Sequence, residues 1–227
     1  MKTIAIITAR GGSKRIPRKN IREFLGKPII AYSIEASLES GIFEEVMVST
    51  DDDEIAEISR KYGANVPFMR SAKNSDDFAG TDDVILEVLE EYHKRGRSFE
   101  YACCLYPTAP FVTAQTLKEA FDLIVKSGAD SVIPVSAFSS PIWRSLRIES
   151  GRLLANFPEC YEKRSQDLPD AYHDVGQFYF LRVEKFLLTK RLLSDFSVPF
   201  VVSELEMQDI DDEIDWKLAE LKYRLIK

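Results

Sequence analysis

Apolar residues in this chain fall in short runs, and between those runs they recur at helical spacing. Residues 3–9 form a strand-like run. Residues 28–39 carry Ile29, Ile30, Tyr32, Ile34, Ala36 and Leu38, and predict a helix with proline near its first turn. Residues 46–50 predict a second strand. Residues 53–62 predict a helix, with Ile55, Ile58 and Tyr62 on one face and Gly63 as its stop. A short strand is expected at 66–69. A helix at 82–93 follows, facing inward through Val84, Ile85, Val88, Leu89 and Tyr92. The alternation continues with a strand at 101–105, a helix at 113–127 on Leu117, Phe121 and Ile124, and a strand at 131–135. Later strands are expected at 176–183 and 198–203. A closing helix at 211–225 would place Ile214, Leu218, Leu221 and Leu225 in the core.

This rhythm predicts an α/β fold, a mostly parallel sheet with helices on both faces. It breaks between Ser139 and Asp174, where three prolines and mixed charge replace the long apolar runs. A segment of that length is too long for a plain connection in a compact domain. It is expected to be an inserted arm, residues 137–175, on a single domain spanning 1–227, serving as a lid or an oligomer contact.

Composition narrows the class. With 227 residues and 45% hydrophobic content, the chain can build a substantial core. Its three cysteines do not make a disulfide framework, and Cys103 and Cys104 sit inside an apolar run, as buried reduced thiols would. No run approaches the ~20 apolar residues of a membrane span, and the first apolar run is too short for a signal peptide. A cytoplasmic protein with no membrane partner is the expectation. The net charge of -7 argues against nucleic acid as a partner.

Against that acidic balance stands one basic stretch. Five of the thirteen residues from Thr8 to Asn20 are Arg or Lys: Arg10, Lys14, Arg15, Arg18 and Lys19. They surround Gly11 and Gly12. A cationic, glycine-containing loop directly after the first strand is where an α/β protein holds phosphate. The glycines are expected to free the backbone for φ > 0 and for close approach of a ligand, with backbone N–H groups and cations acting together. Neither G-x-x-x-x-G-K-[ST] nor G-x-G-x-x-G occurs, which disfavours both ATPase and dinucleotide readings.

A second, acidic constellation is spread along the chain: Asp51, Asp52 and Asp53 after the second strand, Asp209 and Asp211 before the last helix. Asp209 and Asp211, two apart in an extended segment, would point the same way and could hold Mg²⁺. Helix starts are the other reading, with Asp211 as a cap and Asp53 opening its own helix. Arg70 reaches a base or is a surface charge. Thr81 reaches ligand or caps the helix from Asp82. Thr108 lies where a strand ends in a rigid Pro turn. His173 is a structural histidine or a substrate contact. No Ser/His/Asp or Cys/His nucleophile set stands out.

Taken in order, these segments resemble the CMP-sialic acid synthetases, cytidylyltransferases for acidic nonulosonic sugars. The matching pieces are Ile7 through Asn20, Phe24-x-Gly26-Lys27-Pro28-Ile29, Val48-Ser49-Thr50-Asp51-Asp52, Pro67-Phe68-x-Arg70, Tyr106-Pro107-Thr108-Ala109-Pro110, Arg164-x-Gln166-x-Leu168-Pro169 and Asp209-Ile210-Asp211. The resemblance implies a Rossmann-like nucleotidyltransferase fold with an extended dimerisation arm. It implies CTP contacts from Arg10, Gly11, Gly12, Ser13, Lys19, Asn20, Arg70 and Thr81, and Mg²⁺ as cofactor on Asp209 and Asp211. Arg10, Lys19 and Asp211 become the catalytic candidates.

Arg164 on the arm would reach the sugar site of a partner subunit in a homodimer, with Gln166, Tyr172, His173 and Gln177 as further sugar contacts. Synthetases for the common sialic acid usually carry Gln where this chain has Tyr106, and Asn-Gly-Ala where it has Val175-Gly176-Gln177. Both departures resemble the branch that acts on pseudaminic acid. The implied reaction joins CTP and a nonulosonic acid by in-line attack of the sugar 2-hydroxyl on the α-phosphorus, releasing pyrophosphate. The alternatives are a synthetase for N-acetylneuraminate or another sugar acid such as an eight-carbon ketosugar, a sugar-1-phosphate nucleotidyltransferase, and a non-catalytic nucleotide-binding regulator.

Overall fold

The computed structural model describes residues 1–76 and 79–226. The chain opens with β1 (Thr3–Thr8), a small hairpin of β2 (Glu23–Phe24) and β3 (Lys27–Pro28), and α1 (Ile29–Ser40). It continues through β4 (Glu45–Ser49), α2 (Asp53–Lys61), α3 (Thr81–Lys94), β5 (Tyr101–Leu105), α4 (Ala114–Ser127) and β6 (Ser131–Ala137). The 139–174 segment is not structureless. It holds the hairpin β7 (Leu146–Glu149) and β8 (Arg152–Ala155), the short helix α5 (Pro158–Tyr161) and β9 (Tyr172–Asp174). The chain closes with β10 (Phe178–Arg182), α6 (Val183–Thr189), β11 (Ser197–Val201) and α7 (Glu213–Ile226).

The main sheet runs β11-β6-β10-β5-β1-β4, with β9 pairing β6. Strand side chains alternate between its two faces. On β1, Ala5 and Ile7 join the core beneath α1, α2 and α4, while Ile4 and Ile6 join the core beneath α3 and α6. Cys103 and Cys104 divide the same way, both buried, and burial raises both thiols above the ordinary range. Helices therefore cover both faces, as the pattern predicted.

The sheet is more mixed than the sequence rhythm suggested. β10 runs antiparallel to both β5 and β6, and β9 is antiparallel to β6. The cause is the insertion: the chain leaves the end of β6 into the arm and re-enters at that end through β9, so β10 must run back down. The expected strand at 66–69 is also absent. Pro67 cannot donate to a ladder, and only an isolated bridge between Met47 and Asn65 forms there.

The largest revision concerns the last helix. Ile214, Leu218, Leu221 and Leu225 are 68%, 43%, 57% and 75% exposed, and the buried side is Trp216 and Ala219. Trp216 enters a third, aromatic core with Ile16, Phe24, Ile29, Tyr32, Phe111 and Ile210. It meets Phe24 edge-on at 5.6 Å, and the Arg22 guanidinium lies over its ring at 4.4 Å. One Trp buries more area than any aliphatic side chain and gains from ring geometry as well. With Ile210 drawn into the same core just before the helix, that contact sets the helix phase.

Trp216→Ala is expected to cost about 3–5 kcal/mol of stability, whereas Leu225→Lys should stay within ~0.5 kcal/mol. Denaturant titration of the two variants checks the assigned face.

Candidate active site

β1 lies between β4 and β5 and is parallel to both, so successive connections leave it in opposite directions. A ligand crevice belongs at the carboxyl end of such a strand. A cavity of about 610 Å³ opens there. From the first loop come Thr8, Arg10, Ser13, Lys14, Arg15, Lys19 and Asn20. Arg70 enters from beyond β4, Ala79, Gly80, Thr81 and Val84 from the start of α3, and Tyr106, Pro107 and Thr108 from the end of β5.

The loop is held from beneath. Asp52 caps α2 by accepting the Ile55 N–H at 3.0 Å and receives Arg18 through both guanidinium nitrogens, at 2.5 and 3.0 Å. Arg18 lowers the Asp52 carboxyl below its ordinary range. Asp51 accepts the Gly11 N–H at 2.8 Å, and Asn20, buried, donates to the Arg10 carbonyl at 2.8 Å. Of the two readings for Asp51–Asp53, Asp52 therefore follows the helix-start one.

The glycine pair works differently from the expectation. Neither Gly11 nor Gly12 has positive φ; Arg18 and Leu25 do, at 56° and 47°. Gly11 is needed for space, since a Cβ there would sit 2.8 Å from Asp52 Oδ2, whereas Gly12 has nothing within 4 Å. The Gly11 and Ser13 N–H groups already donate inside the protein, to Asp51 and to the Gly11 carbonyl. What these two residues leave facing the cavity is therefore the side-chain cations beside them and not their own N–H groups.

From above, the loop is clasped by the far end of the chain. Lys19 Nζ donates to the Ile210 carbonyl at 2.6 Å, Arg15 pairs with Asp211 at 2.6 Å, and Arg22 pairs with Glu213 at 2.5 Å. Burial lowers the Lys19 ammonium pKa, opposed by the charges of Asp211 and Asp209. Asp209 is raised, first by desolvation and then by Asp211. The cap of α7 is Asp212, which accepts the Ile214 and Asp215 N–H groups at 2.7 and 3.0 Å. Asp211 is not the cap, and its carboxylate faces the loop.

Arg70 is buried and donates to Ser49 Oγ at 3.0 Å and to the Ser49 carbonyl at 2.5 Å, so it is no surface charge. Thr81 does not cap α3, whose N-cap is Gly80. Its hydroxyl instead meets the Tyr106 hydroxyl at 2.9 Å.

Arg164, Gln166, Tyr172, His173 and Gln177 are not among the residues lining this cavity. Arg164 pairs with Asp167 on the arm at 2.8 Å, Gln166 and Tyr172 are exposed, and the His173 ring lies tilted against Phe138 at 5.0 Å. Gln177 is 3% exposed, and its amide donates to the Glu206 carbonyl at 2.7 Å. Of the lining residues, sequence reasoning named neither Ala79 nor Gly80, and it read Val84 only as an inward-facing position of its helix. A helix start of small and apolar residues gave no chemical signal of its own.

The arrangement can hold a polyanion along Arg10, Lys14, Arg15 and Lys19, with a flat group toward Arg70, Thr81 and Tyr106. Comparison with known proteins agrees. The family described as cytidylyltransferase matches residues 4–174. A pseudaminic acid cytidylyltransferase of Campylobacter jejuni is 41% identical over 226 residues, covering 99% of this chain and 97% of the relative. A CMP-N,N'-diacetyllegionaminic acid synthase of Legionella pneumophila is 33% identical over 97% of this chain and 95% of its own length. In fold, the chain is similar to a CMP:2-keto-3-deoxy-manno-octonic acid synthetase solved with CTP, at a TM-score of 0.73 and 16% identity over the whole of both chains.

Gly11→Ala is expected to lose about 1–3 kcal/mol of stability, because Asp52 is pinned and cannot give way. Gly12→Ala should be near neutral. Thermal denaturation of the two variants checks which glycine is required.

Proposed function

The chain belongs to the cytidylyltransferase family, and from that premise we propose that it activates a nonulosonic acid, pseudaminic acid first, with CTP to give the CMP-sugar and pyrophosphate. The observation that carries this reading is the convergence of three distant stretches on one cavity: the cationic loop, Arg70 and Thr81. The near full-length similarity to pseudaminic acid cytidylyltransferases supports the choice of sugar.

In this reading Arg10, Lys14, Arg15 and Lys19 hold the triphosphate and neutralise the leaving pyrophosphate. Arg70, Thr81 and Tyr106 border the cytosine and ribose. The buried Arg70 is fixed by Ser49, so it presents a preorganised donor that does not have to reorient during the reaction. The sugar 2-hydroxyl attacks the α-phosphorus in line, and no side chain forms a covalent intermediate.

Asp209 and Asp211 fit a Mg²⁺ site. They are two hard oxygen donors two residues apart, and Asp211 lies against Arg15 of the loop. When bound, Mg²⁺ supplies charge neutralisation at the α-phosphate and the leaving group. Arg15, paired with Asp211 at 2.6 Å, links the loop cations to this carboxylate.

A homodimer completes the proposal. The arm exposes Ile148 and Leu153, at 78% and 64%, and carries Arg164 toward a partner's sugar site. No described helix is long and apolar enough to cross a membrane. With CTP as substrate, the reading places the enzyme in the cytoplasm.

Pyrophosphate release with CTP and Mg²⁺ across a panel of nonulosonic acids is expected to be fastest with pseudaminic acid. Faster release with N-acetylneuraminate would move the chain to the sialic acid synthetases, and CTP binding without release on any acceptor would favour a regulator. Lys19→Ala should lose turnover by about 100-fold or more while keeping its melting temperature near wild type. Asp211→Ala should abolish Mg²⁺-dependent release; retained metal dependence would remove the carboxylate pair from the mechanism.

A further inference from the structure

The outer face of α7 is apolar and uncovered. Ile214, Leu218, Leu221 and Leu225 follow one another at alternating steps of four and three residues, so they form one straight ridge along the helix. All four are exposed, on the side opposite the buried Trp216 and Ala219. Lys217 and Arg224 stand along one edge of the ridge, both exposed and neither in an ion pair among the described residues. Along the other edge, Asp215 accepts the Asp211 and Asp212 N–H groups, and Lys222 donates to the Glu204 and Met207 carbonyls. A continuous apolar ridge of this kind marks an interaction surface.

A groove of matching character lies between α3 and α6. It has a volume of about 500 Å³, and Leu89, Phe99, Val183 and Leu187 give it an apolar floor. Glu90 on α3 and Glu184 on α6 also line it, both exposed and neither in an ion pair among the described residues. The cations beside them are engaged elsewhere: Lys94 pairs with Glu91 at 2.7 Å, and Arg97 with Glu45 at 2.5 Å. Each wall of the groove therefore offers one unpaired carboxylate.

Ridge and groove complement each other in polarity and in charge. An amphipathic helix laid into an apolar groove is a recurring mode of recognition, and opposed charges at its edges fix register and exclude wrong partners. Pairing of α7 with a second α7 lacks that match. Antiparallel, Lys217 would face Arg224 across the seam; parallel, it would face Lys222. At 14 residues α7 is about 21 Å long, twice the length of the seven-residue α6, so the middle of the ridge is what the groove can take. We propose that α7 of one molecule docks into the groove between α3 and α6 of a second copy, with Leu218 and Leu221 as apolar anchors and Lys217 and Arg224 facing Glu90 and Glu184. The contact is head-to-tail, so copies join into a ring or an open chain. It uses no residue of the arm or of the cavity at the end of β1, and it does not depend on the reaction proposed above.

Sedimentation velocity of the full chain over a concentration series tests the contact. Wild type should keep growing in mass with concentration, past the fixed dimer that the arm alone would give. Lys217→Glu with Arg224→Glu, and separately Glu90→Lys with Glu184→Lys, should each stop that growth, because like charges then meet at the contact. All four side chains are exposed, so folding is not at stake. Mixing the two double variants should restore growth, since every ridge then finds a groove of opposite charge, a rescue that misfolding cannot imitate. Leu221→Asp should stop growth by itself, and growth that survives it overturns the apolar anchor. A wild-type mass that does not change with concentration overturns the proposal, and so does a mixture that stays as small as its components.

Discussion

The site depends on a clasp between the two ends of the chain. Lys19, Arg15 and Arg22, from the first loop and the turn after it, reach the Ile210 carbonyl, Asp211 and Glu213, some 190 residues later. Exposed ion pairs alone contribute little. The clasp holds because it sits over the aromatic core in which Ile16, Phe24 and Tyr32 meet Ile210 and Trp216. Burial of Ile210 fixes the backbone between Asp209 and Asp211, and that backbone in turn receives Lys19. The charges are thus positioned by apolar packing beside them, and the same packing sets the phase of α7.

Beneath the loop, a second set of contacts limits where it can move. Asp52 is at once the cap of α2, the partner of Arg18 and the body against which Gly11 rests. One carboxylate therefore ties the cavity-lining loop to a helix packed on the sheet. A loop supported from below by Asp51 and Asp52 and from above by residues 210–213 can concentrate cations on one side of a cavity without collapsing. In the proposed reading a substrate polyanion meets charges already positioned by the protein, which is where such a site gains over free cations in water.

Much of this was legible in the sequence. The strand runs at 3–9, 46–50, 101–105 and 131–135 and the helices between them were found because buried parallel strands and amphipathic helices write distinct periods. The loop was legible because five cations in an acidic chain are conspicuous. What misled was periodicity without context. In α7, four aliphatic residues at helical spacing lost to one Trp with an aromatic socket waiting for it. At 66–69, an apolar stretch lost to Pro67. In the loop, the glycines suggested a left-handed turn, but the need at Gly11 was for space beside Asp52.

The sequence by itself determined the layer order of the fold, the charge of the first loop and the residue types available to a cavity beside it, because local period and composition are short-range properties. Only the tertiary structure decided that Asp212 and not Asp211 caps the last helix, that the Gln177 amide is tied to the Glu206 carbonyl, that β10 runs against its neighbours, and that the Tyr106 hydroxyl meets Thr81. Each of these depends on which distant group occupies the adjacent space. Hydrogen-bond partners and helix phase are settled by packing between segments far apart in the chain, and no local pattern records them.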